Sequence, residues 1–265
     1  MATQNTGTSA AVDVAELEAK VKRMYREVAQ NPGGEFHFEM GRTLAERIGY
    51  PAEVLDRIPA GAVESFAGVG YAFGLAAFRT GEHVLDLGSG SGMDVFFAAL
   101  ETGPRARVVG IDMTREQLDK AEHLRSEAGL NSVEFIEGHI EALPLESGSF
   151  DCVVSNGVIN LSARKEQVFA EAERVLRPGG RLAISDIVTE RELTESIVCN
   201  IDLWASCIGG AAQTDSYRAA IEAAGLAIQE IKANPEYAFL SEQARNASVT
   251  FGVKSVSLLA IKPAL

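Results

Sequence analysis

His83-Val-Leu-Asp-Leu-Gly-Ser-Gly-Ser-Gly92 is the stretch that decides the fold. Its first half is a short aliphatic run that delivers Asp86. Its second half sets glycines at 88, 90 and 92 directly before the helical pattern Met93 to Glu101. Glycines in such a loop take positive φ where needed and let the backbone approach a ligand closely. A strand that turns through such a loop into a helix offers the helix N-terminus, with its free amides, as a binding site.

Working outward, Arg107 to Asp112, Val133 to Glu137, Phe150 to Ser155 and Arg181 to Val188 are further β-rich runs. Helical patterns over Thr114 to Ala128 and Ala163 to Leu176 lie between them, and Thr114 with Gln117 reads as a capping box. Strands alternating with helices imply a parallel sheet covered on both faces, and right-handed crossovers make it a doubly wound, Rossmann-like α/β fold. Before it, Asp13 to Gln30 has apolar residues at helical spacing. Glu39 to Arg57 reads as a second helical stretch, interrupted at Pro51 and stopped by Pro59. After it, Leu193 to Ile208 reads as one helix, Asp215 to Ala224 as another, and Leu226 to Lys232 and Phe251 to Lys262 as strands. The expected organisation is a disordered segment 1–12, a helical cap 13–80, an α/β core 81–190 and a substrate-side C-terminal part 191–265.

The chain has 265 residues, 24 of them Lys or Arg and 37 Asp or Glu, for a formal charge of −13. A general nucleic-acid partner requires a basic surface, which this balance opposes. The longest uncharged run, Phe66 to Phe78, is 13 residues, short of the ~20 that span a bilayer. No basic start followed by an apolar stretch is visible, so a cytoplasmic protein without a membrane partner is expected. Three cysteines, Cys152, Cys199 and Cys207, are too few for a disulfide framework. Cys152 lies in a strand run and reads as a buried small hydrophobe.

Two ligand classes use a glycine loop of this kind, dinucleotides and S-adenosylmethionine. The spacing is G-x-G-x-G, against the G-x-G-x-x-G of dinucleotide binders. Asp112, at the end of the next strand, would take ribose hydroxyls of either ligand. Asp86 separates them, because an acid two residues before the first glycine repels a pyrophosphate and suits an amino group. A dehydrogenase is thereby disfavoured.

Asp86-x-Gly-x-Gly-x-Gly92, Asp112 and Arg177-Pro-Gly-Gly180 together resemble a class I S-adenosylmethionine-dependent methyltransferase. The resemblance implies a sheet whose final strand is antiparallel, with Asp86, Gly88, Ser89, Gly90 and Gly92 near the methionine end. It places Asp112 on the ribose, Met113 against the adenine, and Asn156 in the cofactor site. Many relatives carry Asp where this chain has His139, so the Ile140 backbone and Glu141 are expected to read the adenine edge.

Within that superfamily, Val84 to Asp94, Gly110-Ile-Asp-Met-Thr114, Ser155 to Leu161, Ser185-Asp-Ile-Val188 and Cys207-Ile-Gly-Gly-Ala211 are similar to arsenite methyltransferases. That family binds trivalent arsenic through thiolates, which suit a soft centre. Of its thiol positions Cys207 matches, whereas Gly157 and Val69 stand at two others and the N-terminal pair is missing. Cys199, eight residues earlier, would lie about 12 Å along one helix from Cys207. No protein-bound metal is expected. The reading is a small-molecule methyltransferase acting by in-line methyl transfer, with Tyr71, Gly157, Asn160 and Trp204 in the acceptor pocket. His37 is the candidate base and Cys207 the candidate thiol. Two alternatives stand beside it: a metalloid methyltransferase using Cys207 with external thiols, and a non-catalytic cofactor-binding protein.

Overall fold

The structure is a computed structural model that describes residues 13–200, 203–204 and 208–264. The segment 1–12, expected to be disordered, and Cys207 lie outside the described residues.

Five parallel strands carry the motifs: β1 (Val84–Leu87), β2 (Val108–Asp112), β3 (Val133–Glu137), β4 (Phe150–Asn156) and β5 (Leu176–Thr189). A two-residue β6 (Ala212–Gln213) flanks β5. An antiparallel pair, β7 (Ala227–Ala233) and β8 (Lys254–Ile261), completes the sheet in the order β3-β2-β1-β4-β5-β8-β7. The expected doubly wound fold with an antiparallel last strand is what forms. Because β1 is central, all four of its residues are buried, as a strand covered on both faces requires. The order reverses between β1 and β4, so the carboxyl ends of these strands open a crevice at the switch point.

Strand alternation sorts the core into two layers. Val84, Val108, Cys152 and Val154 face α6 (Met93–Thr102) and the N-terminal segment 44–76. Leu85, Val109, Val153 and Leu182 face α8 (Lys165–Val175) and α10 (Thr214–Ala223). Cys152 is the buried small hydrophobe expected, and burial pushes its thiol up to about 12.

The N-terminal helix α1 (Val14–Gln30) starts where Asp13 accepts the Ala15 and Glu16 amides. It is clamped to α7 (Arg115–Glu127) by Gln117 Nε2, which donates to the Tyr25 carbonyl at 2.7 Å, and by an Arg26–Glu116 ion pair. That clamp replaces the expected capping box. Thr114 is the N-cap of α7 but caps nothing with its side chain, since its backbone amide points to Asp112 and Gln117 is drawn to α1.

The expected stretch 39–57 breaks at Pro51 as anticipated, into α2 (Arg42–Arg47) and α3 (Ala52–Leu55), and Pro59, expected as a stop, is the N-cap of a further short helix, α4 (Ala60–Glu64). One turn, α5 (Phe73–Ala76), precedes β1. The expected helix 193–208 is not continuous, because α9 (Glu195–Val198) stops at a turn through Cys199 and Asn200. The 12 Å separation of the two cysteines along one axis therefore has no support. Helix α11 (Glu242–Phe251) was not expected. It takes the first residue of the anticipated last strand, and Gly252, at φ 67°, turns the chain into β8. No helix among the described residues is long and apolar enough to cross a membrane.

Candidate active site

The loop after β1 is stitched to the end of β2. The Gly88 and Ser89 amides both donate to the Ile111 carbonyl, at 2.8 and 2.9 Å. Asp112 then takes the Gly90 amide on Oδ2 at 2.9 Å and the Thr114 amide on Oδ1 at 2.8 Å. Gly88 has φ 75°, a conformation that costs other residues energy. A Cβ there would lie 2.5 Å from both methyls of Val158.

This loop floors a groove with two lobes that share Tyr25, Gly88, Gly90 and Val158. The first lobe is largely apolar, walled by Leu17, Val21, Met113, Ile140 and Leu161 with Asp112 and Glu141 at its edge. Ser162 Oγ donates to Glu141 Oε1 at 2.5 Å. Helix α1 thus roofs this lobe, and residues 138–141 and 158–163 close its side. The second lobe is polar, with Asp86, Ser89, Asp94 and Asn156 opposite Phe66, Ala67 and Gly68.

The electrostatics of the second lobe are one-sided. Burial pushes the Asp86 carboxyl well above its ordinary range, and the neighbouring Asp94 and Asp112 charges add to the effect. Burial likewise raises Asp112, against the pull of the Thr114 and Gly90 amides. Asp94 is pushed up to about 6 by burial, with hydrogen bonds from Tyr50 and Asn156 opposing. No lysine or arginine is among the described residues that line either lobe. Asp86 is 2% exposed, and no described residue donates a hydrogen bond to its carboxylate. The Ser89 hydroxyl is also buried without a partner.

These features fit one ligand chemistry. An unpartnered buried carboxylate in an acidic lobe with no basic side chain is satisfied by a cation with N–H donors. The adjoining lobe is an apolar slot, and Asp112 stands at its edge, holding the Gly90 amide of the loop that both lobes share. A match to a family described as a methyltransferase domain covers residues 78–225. This chain belongs to the S-adenosylmethionine-dependent methyltransferases. An arsenite methyltransferase of Halobacterium salinarum is 38% identical over 233 residues, 88% of this chain and 59% of that protein. The human arsenite methyltransferase is 44% identical over 137 residues, 48% of this chain and 36% of that one. The chain thus spans about half the length of such curated relatives. Among solved structures, an arsenic(III) S-adenosylmethionine methyltransferase from Chlamydomonas reinhardtii is 30% identical with TM-score 0.62, covering 86% of this chain and 75% of its own. A geranyl diphosphate methyltransferase, at 16% identity and TM-score 0.67 over 93% of this chain and 99% of that one, shares the fold.

Of the residues that sequence assigns to the methyltransferase cofactor, Asp86, Gly88, Ser89, Gly90, Asp112, Met113, Ile140, Glu141 and Asn156 all line the groove. Gly92 does not; it turns the loop behind the groove at φ 91°, where a Cβ would meet the Phe135 ring at 2.7 Å. The acceptor residues fare differently. Tyr71 packs edge-on against Tyr50, Phe73 and Phe97 away from both lobes. Trp204 is buried, its indole N–H donates to the Val198 carbonyl, and the Lys165 ammonium sits 4.9 Å from its ring centroid. With its amide turned to satisfy both neighbours, Asn160 donates to the Gly157 carbonyl at 3.2 Å and Asp186 Oδ1 at 2.8 Å. Gly157 lies under Val69. His37 stands edge-on to Phe38 and lines neither lobe. Sequence reasoning missed Tyr25, Asp94, Val158 and the α1 residues Leu17 and Val21. Asp94 was findable as an acid in the first turn after the glycine loop.

Asp112→Ala is expected to weaken S-adenosylhomocysteine binding by about tenfold to a hundredfold, the worth of a hydrogen-bonded charge. Calorimetric titration measures it, and an unchanged Kd would remove the ribose assignment.

Proposed function

We propose that this chain methylates a small organic acceptor that carries no negative charge, on a scaffold related to arsenite methyltransferases whose thiolate set is not assembled here. When bound, S-adenosylmethionine supplies a sulfonium methyl that needs no further activation. The chain's own residues hold and orient: Asp86 with Asp94 at the cationic end, Asp112 on the ribose, and Ile140 and Glu141 at the base. Helix α1 excludes water, and holding the partners in line supplies much of the rate. The acidic lining disfavours an anionic acceptor.

One observation carries this reading. Val69 and Gly157, at two positions where arsenite methyltransferases have cysteine, pack on each other. Val69 is buried, and a Cβ on Gly157 would lie 3.1 Å from its methyl. The valine side chain occupies the room that a second side chain would need.

The deciding experiment is a labelled-methyl assay that sets trivalent arsenic plus glutathione beside amine, phenol and thiol panels. Turnover of an organic acceptor with little methylarsenic is expected. Robust dimethylarsenic formation would favour the other reading, an arsenite methyltransferase that uses Cys207 with external thiols, which the 38% identity to the Halobacterium enzyme also supports.

A further inference from the structure

Asp94 stands two residues past the glycine loop, in the first turn of α6, buried beside Asp86 at the polar end of the groove. Its carboxylate is held from two sides. The Tyr50 hydroxyl donates to Oδ1 at 2.7 Å, and the Asn156 amide donates to Oδ2 at 3.2 Å and to the Tyr50 oxygen at 3.0 Å. Asn156 is anchored in turn: its Oδ1 accepts the Val69 amide at 2.8 Å, and its Nδ2 donates to the Gly70 carbonyl at 2.9 Å. Tyr50 is buried and ringed by Phe66, Tyr71, Phe73 and Phe97. Two separate chain segments therefore donate to one carboxylate, and a third, residues 69–70, anchors one of the donors.

Asp86 offers the contrast, since no described residue donates to it. The ionisable groups that act on this pair are Tyr50, Tyr71 and Asp112, each neutral or acidic, while Lys22 acts on Asp112. Of two neighbouring buried carboxyls without a counter-charge, the second ionises only above the ordinary carboxylate range. Such a pair titrates as a unit.

We propose that Asp94 is a second carboxylate for the cationic end of the cofactor, and that the Asp86–Asp94 pair holds one proton in the empty groove. The pair releases that proton to water when the cofactor's ammonium enters. Only an O–H bond breaks, and the proton is replaced by one positive charge. The proposal rests on reading this groove as the cofactor site. Tyr50 and Asn156 are positioning residues that fix the Asp94 carboxylate in the lobe that Asp86 also lines and favour its ionised form. Binding then strengthens as pH rises, by about tenfold per unit below the pair's apparent pKa, and levels off above it.

Calorimetry of the full chain with S-adenosylhomocysteine tests this, because that ligand keeps the ammonium. Titrations at pH 5.5 in two buffers of unlike ionisation enthalpy count the protons, and a Kd series from pH 5 to 8 locates the midpoint. Close to one proton is expected to leave at pH 5.5 and almost none at pH 8. Asp94→Asn removes a like charge beside Asp86, so the midpoint falls while affinity at pH 8 weakens by about tenfold or more. Tyr50→Phe removes a hydrogen bond to ionised Asp94, so the midpoint rises. A purely structural role would lower affinity without moving the midpoint in opposite directions. Tight wild-type binding with no proton released, or two variants that keep the wild-type midpoint, overturns the proposal. Failure of the wild type to bind at pH 8 overturns instead the reading of the groove.

Discussion

Asp86→Asn is expected to raise the melting temperature of the cofactor-free protein at neutral pH while removing most of its affinity for S-adenosylmethionine. The wild-type carboxylate is 2% exposed, has no donor among the described residues, and faces the charges of Asp94 and Asp112. Its folded-state pKa lies above the unfolded value. Any stability it contributes is therefore complete below the ordinary carboxylate range and is lost as pH rises through the raised value. At pH 7.5 a neutral amide of the same shape avoids that penalty, by about 1–3 kcal/mol. At about 2–4 °C per kcal/mol for a chain of this size, the gain is readable by scanning calorimetry. At pH 4 and below, where the wild-type carboxyl is protonated, the two melting curves should converge. Binding moves the other way, because an amide offers no charge to an ammonium, and a loss of tenfold to a hundredfold is the order expected. A variant less stable than wild type at pH 7.5 would mean that Asp86 has a partner in the empty protein.

That opposition between stability and binding explains which parts of the site could be read from sequence. Asp86, the glycine loop and Asp112 lie within one strand–loop–helix–strand unit, so their offsets along the chain already set their places in space. The parallel strands were legible for a related reason: burial on both faces leaves runs such as Val84 to Leu87 almost wholly apolar. The α1 residues Leu17, Val21 and Tyr25 reach the groove, and Tyr50 reaches Asp94 behind it, only through tertiary packing, which no local spacing records. Aromatic identity also misled. Tyr71 and Trp204 have the chemistry of pocket walls, but one completes a cluster around Tyr50 and the other has its N–H taken by Val198. Helix α11 was hidden by composition, since its buried residues are only Ala244 and Ala247 while Val249 points outward at 87% exposure. The segment 39–57 carried a helical pattern interrupted at Pro51, and the break was legible; the short helix after Pro59 was not, because the proline read as a stop and there serves as an N-cap.

Gly88→Ala is expected to abolish measurable cofactor binding, and its partial rescue by a second change would show why. Two costs meet at this position. The φ of 75° costs an L-residue about 1–2 kcal/mol, and the new methyl would lie 2.5 Å from both methyls of Val158, a distance no packing tolerates. The chain must then move either the loop, which carries the Gly88 and Ser89 amides bound to Ile111, or Val158, which lines both lobes of the groove. Each movement distorts the groove proposed to hold the cofactor, so a loss of a hundredfold or more in S-adenosylhomocysteine affinity is expected, with about 2–4 kcal/mol of stability. Val158→Ala alone should be mild, because the side chain is only half-buried. In the double variant the clash is relieved while the φ cost remains. Stability and affinity should therefore recover in part, and the two substitutions should couple favourably by about 1–2 kcal/mol in a double-mutant cycle. Strict additivity would instead assign the whole effect of Gly88→Ala to backbone conformation and leave Val158 a bystander of the groove.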